Sequence, residues 1–227
     1  MTNMLLPGKI WGTKGFLFWT FLSLLLLGAG SKRILELGSG RSTITFAEYA
    51  RHRRATFVSL ETSEAWYNKA KLELHFLGIP STAVRLIELD SKTGWYRLDR
   101  FRSHVQAAAA FDCVLIDAPN DENGDSKGMR DSPVAITELS ACCRHADLVI
   151  IDDVHRRHVY EMVQPTLSDA AAYEIYYFDY HVLRTHPNWL CFCVRSHSPA
   201  AKAIAAIQRF LRMKLDTDRS AELCPEP

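Results

Sequence analysis

The sequence predicts an α/β fold, a doubly wound sheet with helices on both faces. Three observations predict it. Short apolar runs of strand length alternate with segments patterned as amphipathic helices along most of the chain. The first run, with Ile34, Leu35 and Leu37, ends in Gly38-Ser39-Gly40 and passes into a helical pattern carrying Ile44, Ala47 and Tyr49. Strand, glycine turn and helix open such sheets, in which ligands sit beyond the carboxyl ends of the strands. Finally, acids stand at or beside those ends: Glu36, Glu61, Asp90, Asp117 and the pair Asp152-Asp153.

The elements follow in order. Residues 1–15 carry Pro7, Gly8, Gly12 and Gly15 and read as an irregular lead-in. The apolar run Phe16 to Leu27 is too short to span a bilayer comfortably and reads as a helix over about 16–28 that packs on the sheet. Its flanking Lys9, Lys14 and Gly28-Ala29-Gly30 imitate a signal peptide, but cleavage there would fall almost on the first strand. Strand one is 33–37. A helix over about 42–51 ends in Arg51, His52, Arg53 and Arg54, which complement its dipole. Strand two is Thr56 to Leu60, with Glu61 at its tip, and Thr62 or Ser63 caps the next helix, which Gly78-Ile79-Pro80 closes. Strand three is Val84 to Leu89, ending at Asp90; Ser91 to Gln106 gives no clear pattern. Strand four is Phe111 to Ile116, and a long polar loop, 118–131, follows Asp117. Such loops in compact domains are often functional. A helix over 133–143 leads to strand five, Asp147 to Ile151. A helix through Val159, Met162 and Val163 comes next, then strands over 174–178 and 189–194, and a last helix over about 199–213. Trp66, Tyr67 and the aromatic run from Tyr173 to Tyr180 read as core and sheet packing.

Composition narrows the class. At 227 residues the chain can bury one sizeable core. A single domain over 1–227 is expected, with a lead-in and helix over 1–30, a ligand-binding sheet over 31–195 and a helix and tail over 196–227. A net charge of +1 argues against a general nucleic-acid binder. The six cysteines form no Cys-x-x-Cys pair, so neither a zinc site nor a secreted disulfide framework is expected, and a cytoplasmic location is.

The glycine turn discriminates among ligands. A dinucleotide fingerprint needs Gly-x-Gly-x-x-Gly, and its third glycine position is Thr43. Glu36, two residues before the first glycine, instead suits a ligand bearing an ammonium group. The run Glu36-Leu37-Gly38-Ser39-Gly40 resembles the first motif of class I S-adenosylmethionine-dependent methyltransferases, and the order of elements over about 30–195 is similar to theirs. That resemblance implies a Rossmann-like, seven-stranded sheet, mostly parallel, with the last strand antiparallel between its neighbours. It implies S-adenosyl-L-methionine as cofactor. Glu36 would orient the methionine portion, with Gly38, Ser39, Gly40 and Ser42 beside it. Glu61 would accept from the ribose hydroxyls next to Thr62, Asp90 would receive the adenine amino group with help from Ser91, and Asp117 would border the pocket.

Asp117 in Val-Leu-Ile-Asp-Ala-Pro and Asp152-Asp153 in Val-Ile-Ile-Asp-Asp-Val are similar to the metal positions of catechol and caffeoyl-CoA O-methyltransferases, with Asp153 replacing the family's Asn. Carboxylate oxygens there suit Mg²⁺ or another divalent cation. His155 stands near the same edge as a candidate base, with Asp117 as its companion in catalysis. Asn120, Lys127 and Arg130 lie in the loop where an acceptor would approach. The expected activity is methyl transfer to a small-molecule acceptor, at oxygen. An NAD-type oxidoreductase and a non-catalytic, membrane- or partner-associated module stay open as alternatives, as do peripheral membrane contact and a homodimer.

Overall fold

The computed structural model describes residues 22–106, 110–117, 132–152, 154, 159, 161, 173–179 and 189–211. Residues 22–29 form α1, followed by β1 (Arg33–Leu37), α2 (Arg41–Arg53), β2 (Thr56–Glu61), α3 (Glu64–Phe76) and β3 (Val84–Leu86). A ribbon of β4 (Leu89–Asp90) and β5 (Trp95–Tyr96) leads to α4 (Leu98–Gln106) and β6 (Cys113–Ile116). Next come α5 (Pro133–Cys143), β7 (Leu148–Ile151), β8 (Tyr173–Asp179), β9 (Trp189–Arg195) and α6 (Pro199–Leu211).

The main sheet has seven strands in the order β3-β2-β1-β6-β7-β9-β8. The first five run parallel, and β9 inserts between β7 and β8, antiparallel to both. The Rossmann-like expectation therefore holds, down to the reversed last strand.

Alternation within the strands builds two cores. Ile34 faces α1, α2 and α6, whose Leu22, Leu25, Leu26, Phe46, Ala47, Ala203 and Ile204 are buried against it and its neighbours. Leu35 and Leu37 face the other side, where Phe101 of α4 and Leu139 of α5 close the layer. A parallel sheet covered on both faces needs strands that are apolar all round, and β6 and β7 are buried at every position. The described part of the amino-terminal run is thus a core helix, as expected. Among the described residues, no helix is long and apolar enough to cross a membrane.

Three sequence readings need correction. Strand three stops at Leu86 rather than Leu89, because its partner β2 ends at Glu61, which pairs with Leu86. Beyond that point the chain pairs with itself, Leu89 with Tyr96 and Asp90 with Trp95. Asp90 thus stands at a turn, its Oδ1 accepting from Lys92 N at 2.9 Å and its carbonyl from Gly94 N at 2.8 Å. Trp66 is 47% exposed rather than core, with Lys69 Nζ 4.3 Å above its ring. The five described cysteines are free and buried. The basic end of α2 is a solvated terminus, as expected, with Arg51 and His52 bonded back to Glu48.

Candidate active site at the strand tips

Parallel register assembles the site. Leu37 pairs with both Leu60 and Ile116, and Ile116 pairs with Ile151. The residues one step further on, Glu61, Gly38, Asp117 and Asp152, therefore stand in a row along one edge of the sheet. Backbone hydrogen bonds extend the ladder through that row. Gly38 N donates to Leu60 O at 2.8 Å, Asp117 N to Leu37 O at 2.8 Å and Asp152 N to Ile116 O at 3.0 Å. At the usual strand spacing of about 4.8 Å the row is roughly 14 Å long. Acids from three separate strands, β2, β6 and β7, meet there, and Gly38 at the tip of β1 stands between Glu61 and Asp117.

Glu36 lies two residues inside the row and is fully buried. Its Oε2 accepts from Ser59 Oγ at 2.6 Å, the residue facing it on β2, and from Thr43 Oγ1 at 2.7 Å, in the first turn of α2. Its Oε1 is buried without a hydrogen-bond partner. Burial raises its pKa from 4.5 to about 7; the nearby Ser42, Ser59 and Thr43 hydroxyls pull the other way, and the charge of Glu61 adds to the rise. A carboxyl poised between its two forms, with one oxygen unused, fits a cationic group.

The glycine turn is tied down at both ends. Gly38 has φ +90°, a backbone position that side chains rarely adopt. Gly40 N donates to Thr43 Oγ1 at 2.9 Å, which links the turn to Glu36 through the Thr43 hydroxyl. Ser39 points the other way: its amide and hydroxyl both donate to Glu61 Oε2, at 2.6 and 2.7 Å. Glu61 Oε1 takes the Thr62 and Ser63 amides at 2.8 and 2.7 Å. Ser63 caps α3, accepting from Trp66 N.

The ribbon contributes a residue that sequence reasoning missed. Tyr96 is fully buried, and its hydroxyl donates to Leu60 O at 3.0 Å, the same carbonyl that holds Gly38 N. Burial holds its pKa well above the ordinary phenol value, and the Glu61, Glu36 and Asp117 carboxylates push it the same way. Three of the predicted acids thus act on one hydroxyl. Asp90 belongs to the ribbon that carries Tyr96, which Ile87 N attaches to Glu61 O at 2.8 Å, and Ser91 is exposed in the turn beside it.

Thr43 and Ser59 were also missed. Thr43 entered the sequence reading only as the residue that spoils a dinucleotide fingerprint, yet it clamps Glu36. The signal for Ser59 was a lone hydroxyl in an apolar strand, which becomes informative only once register sets it opposite Glu36. Asp117 and Asp152 fall on neighbouring strand ends. Asp153, His155, Asn120, Lys127 and Arg130 lie outside the described residues. Among the described residues, no group of three or more His, Cys, Asp or Glu gathers as a metal site.

No protein-family model matches the chain, and no curated protein does. Solved structures do. Cofactor-bound Rv0187 from MTB matches at 19% identity over 84% of each chain, with a TM-score of 0.55. An O-methyltransferase from Bacillus cereus in complex with SAH matches at 18% identity over 84% of each chain, also at 0.55. The O-methyltransferase TomG from Streptomyces achromogenes, in complex with SAM, matches at 17% identity over 78% of this chain and 79% of its own, at 0.51. At such identities likeness establishes the fold alone, and the fold of this chain is the one seen in these solved structures, two of which are O-methyltransferases.

Proposed function

We propose that the chain is an S-adenosylmethionine-dependent methyltransferase acting on a small-molecule acceptor, at oxygen. One observation carries the reading: a fully buried Glu36 with an unpartnered oxygen, beside the glycine turn of a methyltransferase-type sheet. A buried polar atom without a partner is costly, so a site that retains one calls for a ligand that satisfies it. The cofactor's α-ammonium has the charge and the donors to do so.

The residues divide the remaining work. Gly38 and Gly40 let the backbone lie close to the methionine portion, with Ser42 beside Glu36. Glu61, flanked by Ser39 and Thr62, offers its carboxylate to the ribose hydroxyls, and the ribbon bearing Asp90 and Ser91 serves the adenine side. When bound, the cofactor supplies an electrophilic methyl group on a sulfonium. The protein's part is to hold the acceptor oxygen in line and to take its proton, for which His155 and Asp117 are the candidates. Asp117 and Asp152, on adjacent strand ends, carry oxygen donors that would suit one hard cation, for which Asp153 would be the third ligand. Such an ion would favour the deprotonated acceptor. The NAD reading loses ground, since Thr43 fills the third glycine position and is committed to Glu36.

Titration calorimetry with S-adenosylhomocysteine tests the central claim: saturable binding is expected, and no heat at millimolar ligand removes it. Chelation tests the metal separately. Turnover is expected to fall in excess EDTA and return with Mg²⁺; unchanged turnover removes the cation and leaves the methyltransferase reading standing.

A further inference from the structure

We infer that Ser39 sets the cofactor affinity of this site: its amide and hydroxyl occupy the acceptor positions on Glu61 that a vicinal diol needs, and a diol-bearing ligand enters by exchanging with them. The inference rests on reading the strand-tip crevice as a nucleoside site.

A carboxylate accepts hydrogen bonds at about four lone-pair positions. Protein donors fill that capacity at Glu61: Ser39 N and Oγ on Oε2, Thr62 N and Ser63 N on Oε1, all between 2.6 and 2.8 Å. The residue is 4% exposed, so water does not compete. Two ribose hydroxyls cannot simply be added to this arrangement. They must replace two donors.

The chain shows which pair gives way. Thr62 and Ser63 directly follow Glu61 in sequence, and Ser63 is the residue that caps α3. Their amides belong to the same short turn as Glu61 itself and move with its backbone, so they keep Oε1. Ser39 reaches Glu61 from another strand tip and stands between two glycines. Gly38 sits at φ +90°, and around Gly40 nothing lies within 4 Å of where a Cβ would be. With the turn held at Gly38 N and Gly40 N, the two glycines leave Ser39 between them able to swing away from Glu61. The Ser39 pair is the exchangeable one, and in the free protein its hydroxyl stands where a ribose hydroxyl would.

A consequence separates this role from plain structural support. Removing the hydroxyl leaves Glu61 short of a donor in the free protein only, because the bound ligand supplies its own. The free state loses stability while the complex does not, so affinity rises. A residue that merely props up the turn would, on removal, weaken both.

The test compares wild type with Ser39→Ala by calorimetry with S-adenosylhomocysteine, alongside thermal melts of the free proteins. A charge-assisted hydrogen bond removed from one side of the equilibrium is expected to tighten binding about tenfold. The free variant is expected to melt about 3 °C lower. Should Ser39→Ala fail to fold, Ser39→Cys, which keeps the shape with a much weaker donor, decides by the same comparison. Binding to the variant that equals wild type, or is weaker, overturns the inference and leaves the methyltransferase reading intact. Absence of binding to both proteins removes the parent reading instead.

Discussion

Glu36 carries a conflict between stability and function. In the free fold its pKa is about 7, against 4.5 for an ordinary glutamate. Between those values the unfolded chain releases a proton that the folded chain keeps, so stability falls as pH rises through that window. The contribution is fully present below pH 4.5 and is lost once pH passes 7. A shift of this size corresponds to about 3 kcal/mol. Glu36→Gln removes the titration while keeping an acceptor for Ser59 and Thr43. It is therefore expected to gain on wild type progressively from pH 4.5 to 7, reaching up to about 3 kcal/mol by pH 8, seen as a widening gap between melting temperatures. A constant gap across that range would mean that Glu36 is already ionised in the fold. The same substitution should weaken S-adenosylhomocysteine at least tenfold, since a neutral amide cannot pair with an ammonium. In wild type, a cationic ligand favours the ionised carboxyl, so binding below pH 7 should release a proton. Calorimetry in buffers of different ionisation enthalpy would record it.

At the scale of elements, α1 meets α6 through small residues. A Cβ built on Gly28 would lie 2.6 Å from Ala203 Cβ, closer than real side chains approach. Both helices cover the same face of the sheet, with Leu22, Leu25, Leu26, Ala200, Ala203 and Ile204 in one cluster. Gly28→Ala gains about 1 kcal/mol of helix propensity and meets an overpacking cost of about 1–3 kcal/mol. Net destabilisation is expected, with recovery when Ala203→Gly is added. A Gly28→Ala protein as stable as wild type would show that the helices separate freely. This scale also marks where the sequence was legible. Most elements match because each apolar run and its flanking glycine, proline or cap is a local signal. The ribbon β4–β5 was not legible, since strand three ends where β2 ends, a fact of pairing rather than of its own residues. Tyr96 was missed with it.

For the molecule as a whole, the site is a product of register. Acids at 61, 117 and 152 join one edge only because strands distant in sequence lie side by side, and their positions at strand ends made that edge readable in advance. What could not be read was how they are occupied: Ser59 and Thr43 on Glu36, Ser39 on Glu61, all contacts across 7 to 23 residues. A site spread over β2, β1, β6 and β7 exists only while the sheet is assembled, so ligand binding must stabilise the sheet itself. At a hundredfold excess over its dissociation constant, S-adenosylhomocysteine should add about 2.7 kcal/mol. For a chain of this length that corresponds to about 5–10 °C in melting temperature. The rise should be the same by far-ultraviolet circular dichroism, which follows the whole sheet, and by tryptophan fluorescence, to which Trp95 contributes beside the rim. Because β9 pairs with β7 through Ile151 and Cys191, next to Asp152, even the antiparallel end of the sheet should melt with the rest. A rise in the fluorescence transition alone would mean that the rim is held together locally and that the remaining strands unfold without it.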